Sequence, residues 1–366
     1  MRVAVIIGFN YVNPEQIPSS NYRLIKGVII DLYMIYKYIC QRNYDKIIVV
    51  TDIYTDVHID KVTPAIIDGL IDLDIANFIE HLDQNEQIYF YDNKDNFSNF
   101  MTTLVTNSSH LMIYYTGHAI NNKIIFPVIL PYCSIIPEDK SEKERELQVH
   151  QGMFTCDQFI KLFTDAVADN CQILLIFDCC NGPDFNLPFV LDENGIYRLN
   201  NYHFPQKEII CLVSSLPEEK SLSTNNGSLF THIIIKNLNI VQDNWLLLLQ
   251  LSQRELNQKI KTTAINSLII AVKFNIKNND LIKLSYDQID HIYREIKENS
   301  LINNEQTWLS MLADYGVDLN YYLTKQTIKV YSSYPTIYHI WPWFYKKTTY
   351  QLQWDYGQYL LHLRSL

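Results

Sequence analysis

The stretch Cys171–Gly182, CQILLIFDCCNG, constrains the fold of this chain more than any other. Within it, Ile173–Phe177 is an apolar run without alternation, which is typical of a strand buried on both faces of a parallel sheet. The run ends at Asp178, and two cysteines and an Asn-Gly turn signal follow. Open α/β sheets bind their ligands beyond the carboxyl ends of strands, so this segment is a candidate functional site.

A second apolar run, Leu111–Tyr115, ends in the same way and is followed by Thr116, Gly117 and His118. A thiol and an imidazole at two strand ends are the parts of a Cys-His nucleophilic site. Taken alone, a cysteine is more often a small buried hydrophobic residue, and an isolated histidine is more often a hydrogen-bonded core residue. The paired polar strand ends favour the site, but the residues themselves do not distinguish Cys179 from Cys180.

Alternating strand and helix patterns predict an α/β fold, with a mostly parallel six-stranded sheet covered by helices on both faces. The strands predicted for this sheet are Arg2–Gly8, Lys46–Val50, Leu111–Tyr115, the strand from Cys171, Glu208–Val213 and Ser267–Phe274, and a further short strand is predicted at Lys123–Val128. Beyond residue 277 the composition shifts, with predicted helices at Tyr286–Asn299 and Glu305–Tyr315. Tyr331–Leu363 is rich in aromatic residues, which indicates either a peptide-binding or self-association face or, as we favour, a satellite core packed on the main domain.

Length and charge exclude several classes of protein. A chain of 366 residues holds one large domain with an appendage, or two domains. The net charge of -10, without a basic stripe, argues against a nucleic-acid partner. No apolar run reaches ~18 residues, so no membrane span is predicted, and MRVAVIIGF is interpreted as a first strand rather than a signal segment. Seven cysteines without zinc-ligand spacing indicate a reducing, cytoplasmic setting.

Seven segments in this order resemble the type I metacaspases, which belong to the caspase-like clan of cysteine peptidases. They are VAVIIGFNYV, LIKGVIIDL, MIYYTGHA, LLIFDCCNG, FNLPF, LVSS and GSLFTH. The resemblance covers residues 2–275, with Asp56–Tyr91 as an insertion. It implies a caspase-like three-layer peptidase domain at 1–276, divided into a larger part at 1–182, a linker at 183–207 and a smaller part at 208–276. Residues 277–366 would be an aromatic-rich helical extension.

The resemblance also implies the catalytic residues. Cys180 would be the nucleophile, because the family has a D-x-C pattern, and His118 would be its general base and acid. Backbone N–H groups of Cys180 and Ala119 would stabilise the oxyanion, with alanine standing where the family has glycine. The turn after Cys180 is one residue shorter than the family's D-x-C-H-S-G.

Metacaspases cleave after Arg or Lys, and carboxylates in the substrate pocket account for that preference. The matching positions here are Asp31 and Asp178, with Thr116 in place of the usual serine. Self-processing would fall in the linker, with Arg198 and Lys207 as the basic candidates.

Many metacaspases require Ca²⁺, which a cluster of carboxylates holds. The corresponding positions here are Ile129, Cys156, Asp157 and Asn186, which make a poor calcium cage. The sequence therefore predicts no cofactor, or at most a weak and displaced calcium site at Asp157, Asp184 and Asn186.

These observations predict a monomeric, metacaspase-like cysteine endopeptidase that acts on proteins or peptides with Arg or Lys at the cleaved position, in regulated proteolysis or cell-death control. The alternative is a catalytically inactive, caspase-fold pseudo-enzyme that binds a peptidase or its substrate. A nucleotide-binding doubly wound protein is a third interpretation, but the chain lacks a glycine-rich phosphate loop.

Overall fold

The structure of the protein is a computed structural model that describes residues 1–10, 25, 27–52, 88–90, 94–120, 123–126, 153–182, 187–198, 207–224, 227–241, 243–273, 325–334 and 339–345. The chain divides into two compact units. One unit comprises Met1–Gln253 and Gln326–Leu366, and the other comprises Arg254–Lys325.

A nine-stranded sheet organises the first unit. Its strands are β1 Arg2–Gly8, β2 Lys46–Thr51, β3 Ile88–Phe90, β4 His110–Thr116, β8 Gln172–Asp178, β9 Phe189–Asp192, β10 Gly195–Arg198, β11 Glu208–Val213 and β14 Lys329–Ser332. Their order in the sheet is β10-β9-β14-β11-β8-β4-β1-β2-β3. The six strands from β11 to β3 are parallel, and β14, β9 and β10 are antiparallel to their neighbours. Two small sheets are formed by β5 Ala119–Ile120, β6 Lys123–Ile125 and β7 Met153–Thr155, and by β12 Ser223–Thr224 and β13 Gly227–Ser228.

Helices cover both faces of the main sheet, which gives the three layers that the sequence predicts. The described helices are α1 Val28–Cys40, α2 Lys94–Val105, α3 Cys156–Thr164, α4 Leu229–Leu238, α5 Trp245–Lys273 and α6 Pro342–Tyr345. On one face, Phe97 of α2 and Phe159 of α3 join the apolar core with alternate residues of β1. On the other face, α1 packs so closely that a Cβ on Gly8 would lie 2.6 Å from Leu32. Among the described helices, none is long and apolar enough to span a membrane.

The mostly parallel α/β sheet is confirmed, but the predicted strand Ser267–Phe274 is wrong. Helix α5 runs without interruption to Lys273. A short apolar run such as SLIIAV does not by itself distinguish helix from strand, and no Gly or Pro separates it from the preceding helical pattern. The sixth parallel strand is instead β3, which lies inside the segment assigned to an insertion.

The segment predicted as a linker contains a β-hairpin. Strands β9 and β10 pair antiparallel with Gly195 opposite Asp192, and the Asn194 backbone N–H donates to the Asp192 carboxylate. Gly195 has a φ of 134°, a conformation that favours glycine. Asn-Gly between two apolar runs is a strong hairpin signal, so the interpretation of 183–207 as a continuous linker is corrected for this part.

The C-terminal residues also contribute to the main sheet. Strand β14 lies between β11 and β9, and its Val330 is fully buried. Near α6, the Trp343 indole donates a 2.8 Å hydrogen bond to Gln172 at the start of β8, and Arg42 donates to the Phe344 carbonyl. The described part of the aromatic segment is therefore packed on the main unit rather than forming a helical extension. The predicted helices at 286–299 and 305–315, and Trp354, lie outside the described residues.

Candidate active site

The ends of β4 and β8 bring the predicted thiol and imidazole to the same edge of the sheet. The two strands are parallel neighbours in which Thr116 lies opposite Asp178, so His118 and Cys180 each follow the paired positions by two residues. The side-chain amide of Asn181 donates a 3.3 Å hydrogen bond to the Ala119 carbonyl. The residue after the cysteine is therefore bonded directly to the residue after the histidine.

The structure distinguishes the two adjacent cysteines, which the residues alone did not. Cys179 is 2% exposed and belongs to the apolar core, and its backbone is bonded to the hydroxyls of Ser214 and Ser215. Cys180 is partly exposed, and its thiol donates a 3.5 Å hydrogen bond to the Ser221 carbonyl. Cys180 is therefore the more accessible of the two thiols.

Burial raises the pKa of the Cys180 thiol, and the nearby Asp178 carboxylate raises it further. A thiol with a raised pKa is protonated at neutral pH and reacts slowly until a base removes its proton. The imidazole that follows β4 is the group of the right chemistry at this edge of the sheet.

The short turn after Cys180 consists of Asn181 and Gly182, and a hydrogen bond fixes the backbone of each residue. Asn181 has a φ of 50°, and its backbone N–H donates to the Glu219 carbonyl at 2.7 Å. The Gly182 N–H donates to the Ser215 hydroxyl, and a Cβ on Gly182 would lie 1.7 Å from the Ser215 carbonyl oxygen. Glycine is thus required at 182 by the close approach of the loop after β11.

The backbone around His118 is anchored in a manner that leaves the Ala119 N–H available. The His118 carbonyl accepts hydrogen bonds from the Tyr115 hydroxyl and the Ile125 N–H. Ala119 is opposite Ile124 in β5–β6, and hydrogen-bonded and non-hydrogen-bonded pairs alternate along antiparallel strands. Because His118 and Ile125 are hydrogen-bonded, the next pair, Ala119 and Ile124, is not. The N–H and the carbonyl of Ala119 therefore both point away from β6, and the carbonyl accepts the hydrogen bond from Asn181. Ala119 is not among the described residues with positive φ, so alanine is not strained here.

Asp31 and Asp178 lie close together as two buried carboxyl groups, at the positions that the family resemblance assigns to the substrate pocket. Asp31, in the first turn of α1, is 1% exposed, and its Oδ1 accepts the Ser228 N–H at 2.8 Å. Its Oδ2 has no hydrogen-bond partner among the residues that the structure describes. Asp178 is also buried and accepts hydrogen bonds from the hydroxyls of Ser221 at 2.8 Å and Thr231 at 2.6 Å. The two predicted pocket carboxylates are thus brought together.

Burial raises the pKa of both carboxyl groups, and the charge of Asp178 raises that of Asp31 further. The neighbouring Thr116 hydroxyl lowers the pKa of Asp31, but by less than burial raises it. In the described part of the chain, neither carboxyl group is paired with a Lys or Arg side chain. A cation bound beside Asp31 and Asp178 would neutralise the negative charge of both groups when they are ionised.

The processing candidates are not in an open loop. Arg198 is the last residue of β10, opposite Phe189, so it lies in a strand and not in the loop that the sequence predicts. Lys207 donates to the carbonyls of Thr164 and Val167 after α3, with Asp169 3.7 Å away. A basic side chain held by a helix C-terminus has to be released before it enters a peptidase pocket.

Of the calcium candidates, Asp157 is exposed in the first turn of α3, and Asp184 and Asn186 lie outside the described residues. Among the described residues, no group of three or more His, Cys, Asp and Glu side chains is arranged to hold a metal ion.

The sequence did not identify several residues that shape the pocket. Ser228 and Thr231 lie in GSLFTH, which was recognised only as a segment, whereas Ser221 and Gln326 had no sequence signal. Gln326 donates from Nε2 to the Ser221 hydroxyl at 3.1 Å. Its contribution comes from a segment more than a hundred residues away along the chain, which no local pattern reveals.

No protein-family model matches this chain, and no curated protein matches it in sequence. Among solved structures, it is similar to caspase-1 from Spodoptera frugiperda, with a TM-score of 0.40 and 14% identity over 71% of this chain and 78% of that chain. It is also similar to protein GSU0716 from Geobacter sulfurreducens, with a TM-score of 0.41 and 10% identity over 70% and 89% of the two chains. Both are similarities of structure at low identity, and neither assigns the chain to a family.

Proposed function

We propose that the protein is a metacaspase-like cysteine endopeptidase that cleaves after Arg or Lys. The observation that carries the proposal is the position of a partly exposed thiol, Cys180, at the same sheet edge as His118 and near two buried carboxyl groups that no described Lys or Arg side chain pairs with. The motif order given above supports the same class of enzyme.

In the proposed reaction, His118 accepts the proton of the Cys180 thiol, and the thiolate attacks the substrate carbonyl carbon. The negative charge that develops on the carbonyl oxygen is stabilised by the N–H groups of Cys180 and Ala119. The imidazolium then donates its proton to the leaving amine, and an acyl-cysteine remains. Water, activated by the same imidazole, hydrolyses the acyl-enzyme and releases the thiol.

The acidic pocket would select the side chain before the cleaved bond. A guanidinium or ammonium group would donate charge-assisted hydrogen bonds to Asp31 Oδ2, for which the described part of the chain offers no hydrogen-bond partner. An Asp side chain at the same position would place a third carboxylate beside Asp31 and Asp178, and repulsion would exclude it.

A fluorogenic peptide with Arg at the cleaved position tests this function, with an otherwise identical Asp peptide as the specificity control. We expect turnover of the Arg peptide alone, loss of turnover in Cys180→Ala, and retention in the matched Cys179→Ala variant. Turnover that survives in Cys180→Ala would contradict the proposal. Binding of the Arg peptide by the wild type without cleavage would indicate instead the inactive, peptide-binding alternative.

The same assay tests the metal prediction. We expect cleavage in the presence of a calcium chelator, because the positions that correspond to the family's calcium site include few carboxylates. A steep requirement for micromolar free calcium would contradict this expectation. The role of such cleavage in regulated proteolysis or cell-death control would follow from the substrates that are found.

A further inference from the structure

The side chain of Gln326 is hydrogen-bonded to Leu222 and Ser221, the residue that contacts Asp178, and its amide is fixed in one orientation. The Leu222 backbone N–H donates to Gln326 Oε1 at 3.1 Å. Because a backbone N–H can only donate, the oxygen of the amide must face Leu222 and the NH₂ group must face Ser221. The Nε2 atom lies 3.1 Å from the Ser221 hydroxyl oxygen.

This orientation determines where the Ser221 proton points. An amide NH₂ cannot accept a hydrogen bond, so the Ser221 hydroxyl accepts from Gln326 and has its own proton free to donate. The hydroxyl oxygen lies 2.8 Å from Asp178 Oδ1. Gln326 thus orients the Ser221 hydroxyl so that its proton is donated to the Asp178 carboxyl group. Burial raises the pKa of Asp178, and this hydrogen bond is one of those that lower it.

Burial and hydrogen bonds to other segments keep Gln326 in place. It is 2% exposed, its carbonyl accepts a hydrogen bond from Gln253, and the Ile328 N–H donates to the Gln253 side chain. The next residue, Thr327, donates from its backbone N–H and its hydroxyl to Glu219. The segment at 326–328 is therefore fixed against the loop that also supplies the Ser221 carbonyl to Cys180.

We propose that Gln326 is a positioning residue of the substrate pocket, which orients the Ser221 hydroxyl as a hydrogen-bond donor to the Asp178 carboxyl group that would receive a guanidinium group. This inference rests on the proposed function, because it assigns the pocket to a basic side chain. It predicts that substitution at 326 affects the binding of the cation more than the chemistry at Cys180.

Binding and turnover give separate tests. Agmatine, which carries a guanidinium group, is titrated calorimetrically into full-length Cys180→Ala protein, with and without Gln326→Leu. We expect Gln326→Leu to weaken agmatine binding about three- to tenfold, the effect of losing one oriented hydrogen bond. In the cleavage assay, the single Gln326→Leu variant should raise KM for the Arg peptide and leave kcat within about twofold, with the acidic limb of kcat/KM displaced to higher pH.

Thr327→Val is the matched control, because it removes a hydrogen bond of the same segment without touching Ser221 or Asp178. It should retain the wild-type KM and pH profile, even if its unfolding temperature falls.

Three outcomes would contradict the inference. If agmatine binds with equal affinity to the proteins with and without Gln326→Leu, the positioning role of Gln326 is overturned, but the basic specificity of the pocket is not. If Gln326→Leu lowers kcat and the unfolding temperature without a change in KM or pH profile, its role is structural only. If agmatine does not bind even with Gln326 present, the basic specificity itself is overturned, and this inference with it.

Discussion

The side-chain amide of Asn181 donates a hydrogen bond to the Ala119 carbonyl, 3.3 Å away, and so connects the segment after the thiol to the segment after the imidazole. Asn181 makes this contact from a left-handed backbone conformation, with a φ of 50°. The residue therefore has two separable roles: its amide fixes the relative position of two strand ends, and its backbone forms the short turn.

Two substitutions at this position separate the roles. Asn181→Gly loses the amide but accepts positive φ, and we expect kcat for the Arg peptide to fall about tenfold with little loss of stability. Asn181→Ala loses the amide and is also strained, so its free energy of unfolding should fall by a further ~1 kcal/mol. Chemical denaturation and steady-state kinetics measure the two effects. Wild-type kcat in Asn181→Gly would show that the contact does not serve catalysis.

The raised pKa of Cys180 makes its reactivity depend on a base and on pH. With His118 present, we expect alkylation of Cys180 by iodoacetamide at pH 7 to be at least about tenfold faster than in His118→Ala. In the variant, the rate should continue to rise above pH 9, because burial raises the thiol pKa from its ordinary value of 9.0. Mass spectrometry locates the label, and Cys179→Ala excludes reaction at the neighbouring thiol. Equal rates with and without His118 would contradict its assignment as the base.

Asp31 should make the folded protein less stable at neutral pH. Its pKa is raised well above 3.8 in the folded state, so the folded form binds the proton more tightly than the unfolded form. The stability that this group contributes is complete below its unfolded pKa and is lost as the pH rises through its folded pKa. We therefore expect Asp31→Asn to raise the free energy of unfolding at pH 7.5 by about 1 kcal/mol or more, while turnover of the Arg peptide is lost.

Denaturation curves of wild type and Asp31→Asn at pH 4 and pH 7.5 measure that difference, which should shrink at the lower pH. A stability gain that is equal at both pH values would show that ionisation of Asp31 is not its cause.

Strand β14 should be required for folding of the main unit. Truncation after residue 276 removes β14 and the Gln326 contacts, and we expect the shortened chain to be insoluble or unfolded by circular dichroism. Val330→Ala, which deletes two buried methyl groups, should lower the free energy of unfolding by about 2 kcal/mol. The adjacent Lys329→Ala should change it by less than about 0.5 kcal/mol. A soluble, cooperatively folded 1–276 protein would show that the sheet does not need its ninth strand.

The sequence predicts the parallel centre of the sheet because strands such as Ile173–Phe177 are apolar throughout and end in turn signals. It also brings His118, Cys180 and Asp178 to one edge of the sheet, since polar residues at the ends of adjacent parallel strands share that edge. Asp31 lies in α1 instead, and only the family resemblance pointed to it. The choice of Cys180 over Cys179 needed either the family pattern or the observed burial. Alternation along a strand shows that consecutive side chains face opposite ways, but it does not show which of the two cysteines faces the site.

The sequence fails where contacts join distant segments. Nothing in KVYS at 329–332 shows that it pairs with β11, more than a hundred residues earlier, and its four residues are too few for a periodicity argument. Gln326 was missed for the same reason, because glutamine has no special spacing or composition around it. The hairpin at β9–β10 is different: its Asn194-Gly195 signal was present, and the many polar residues nearby concealed it.

The position of β14 has a consequence for biosynthesis. Residues 1–253 leave the ribosome well before residues 329–332, and until then β9 and β11 lack the strand that joins them. A nascent chain in this state carries unpaired strand edges of the kind that chaperones bind. The hydrogen bond from Gln326 to Ser221 forms only after that segment is synthesised, so the proposed substrate pocket would be incomplete while translation of the segment is still under way.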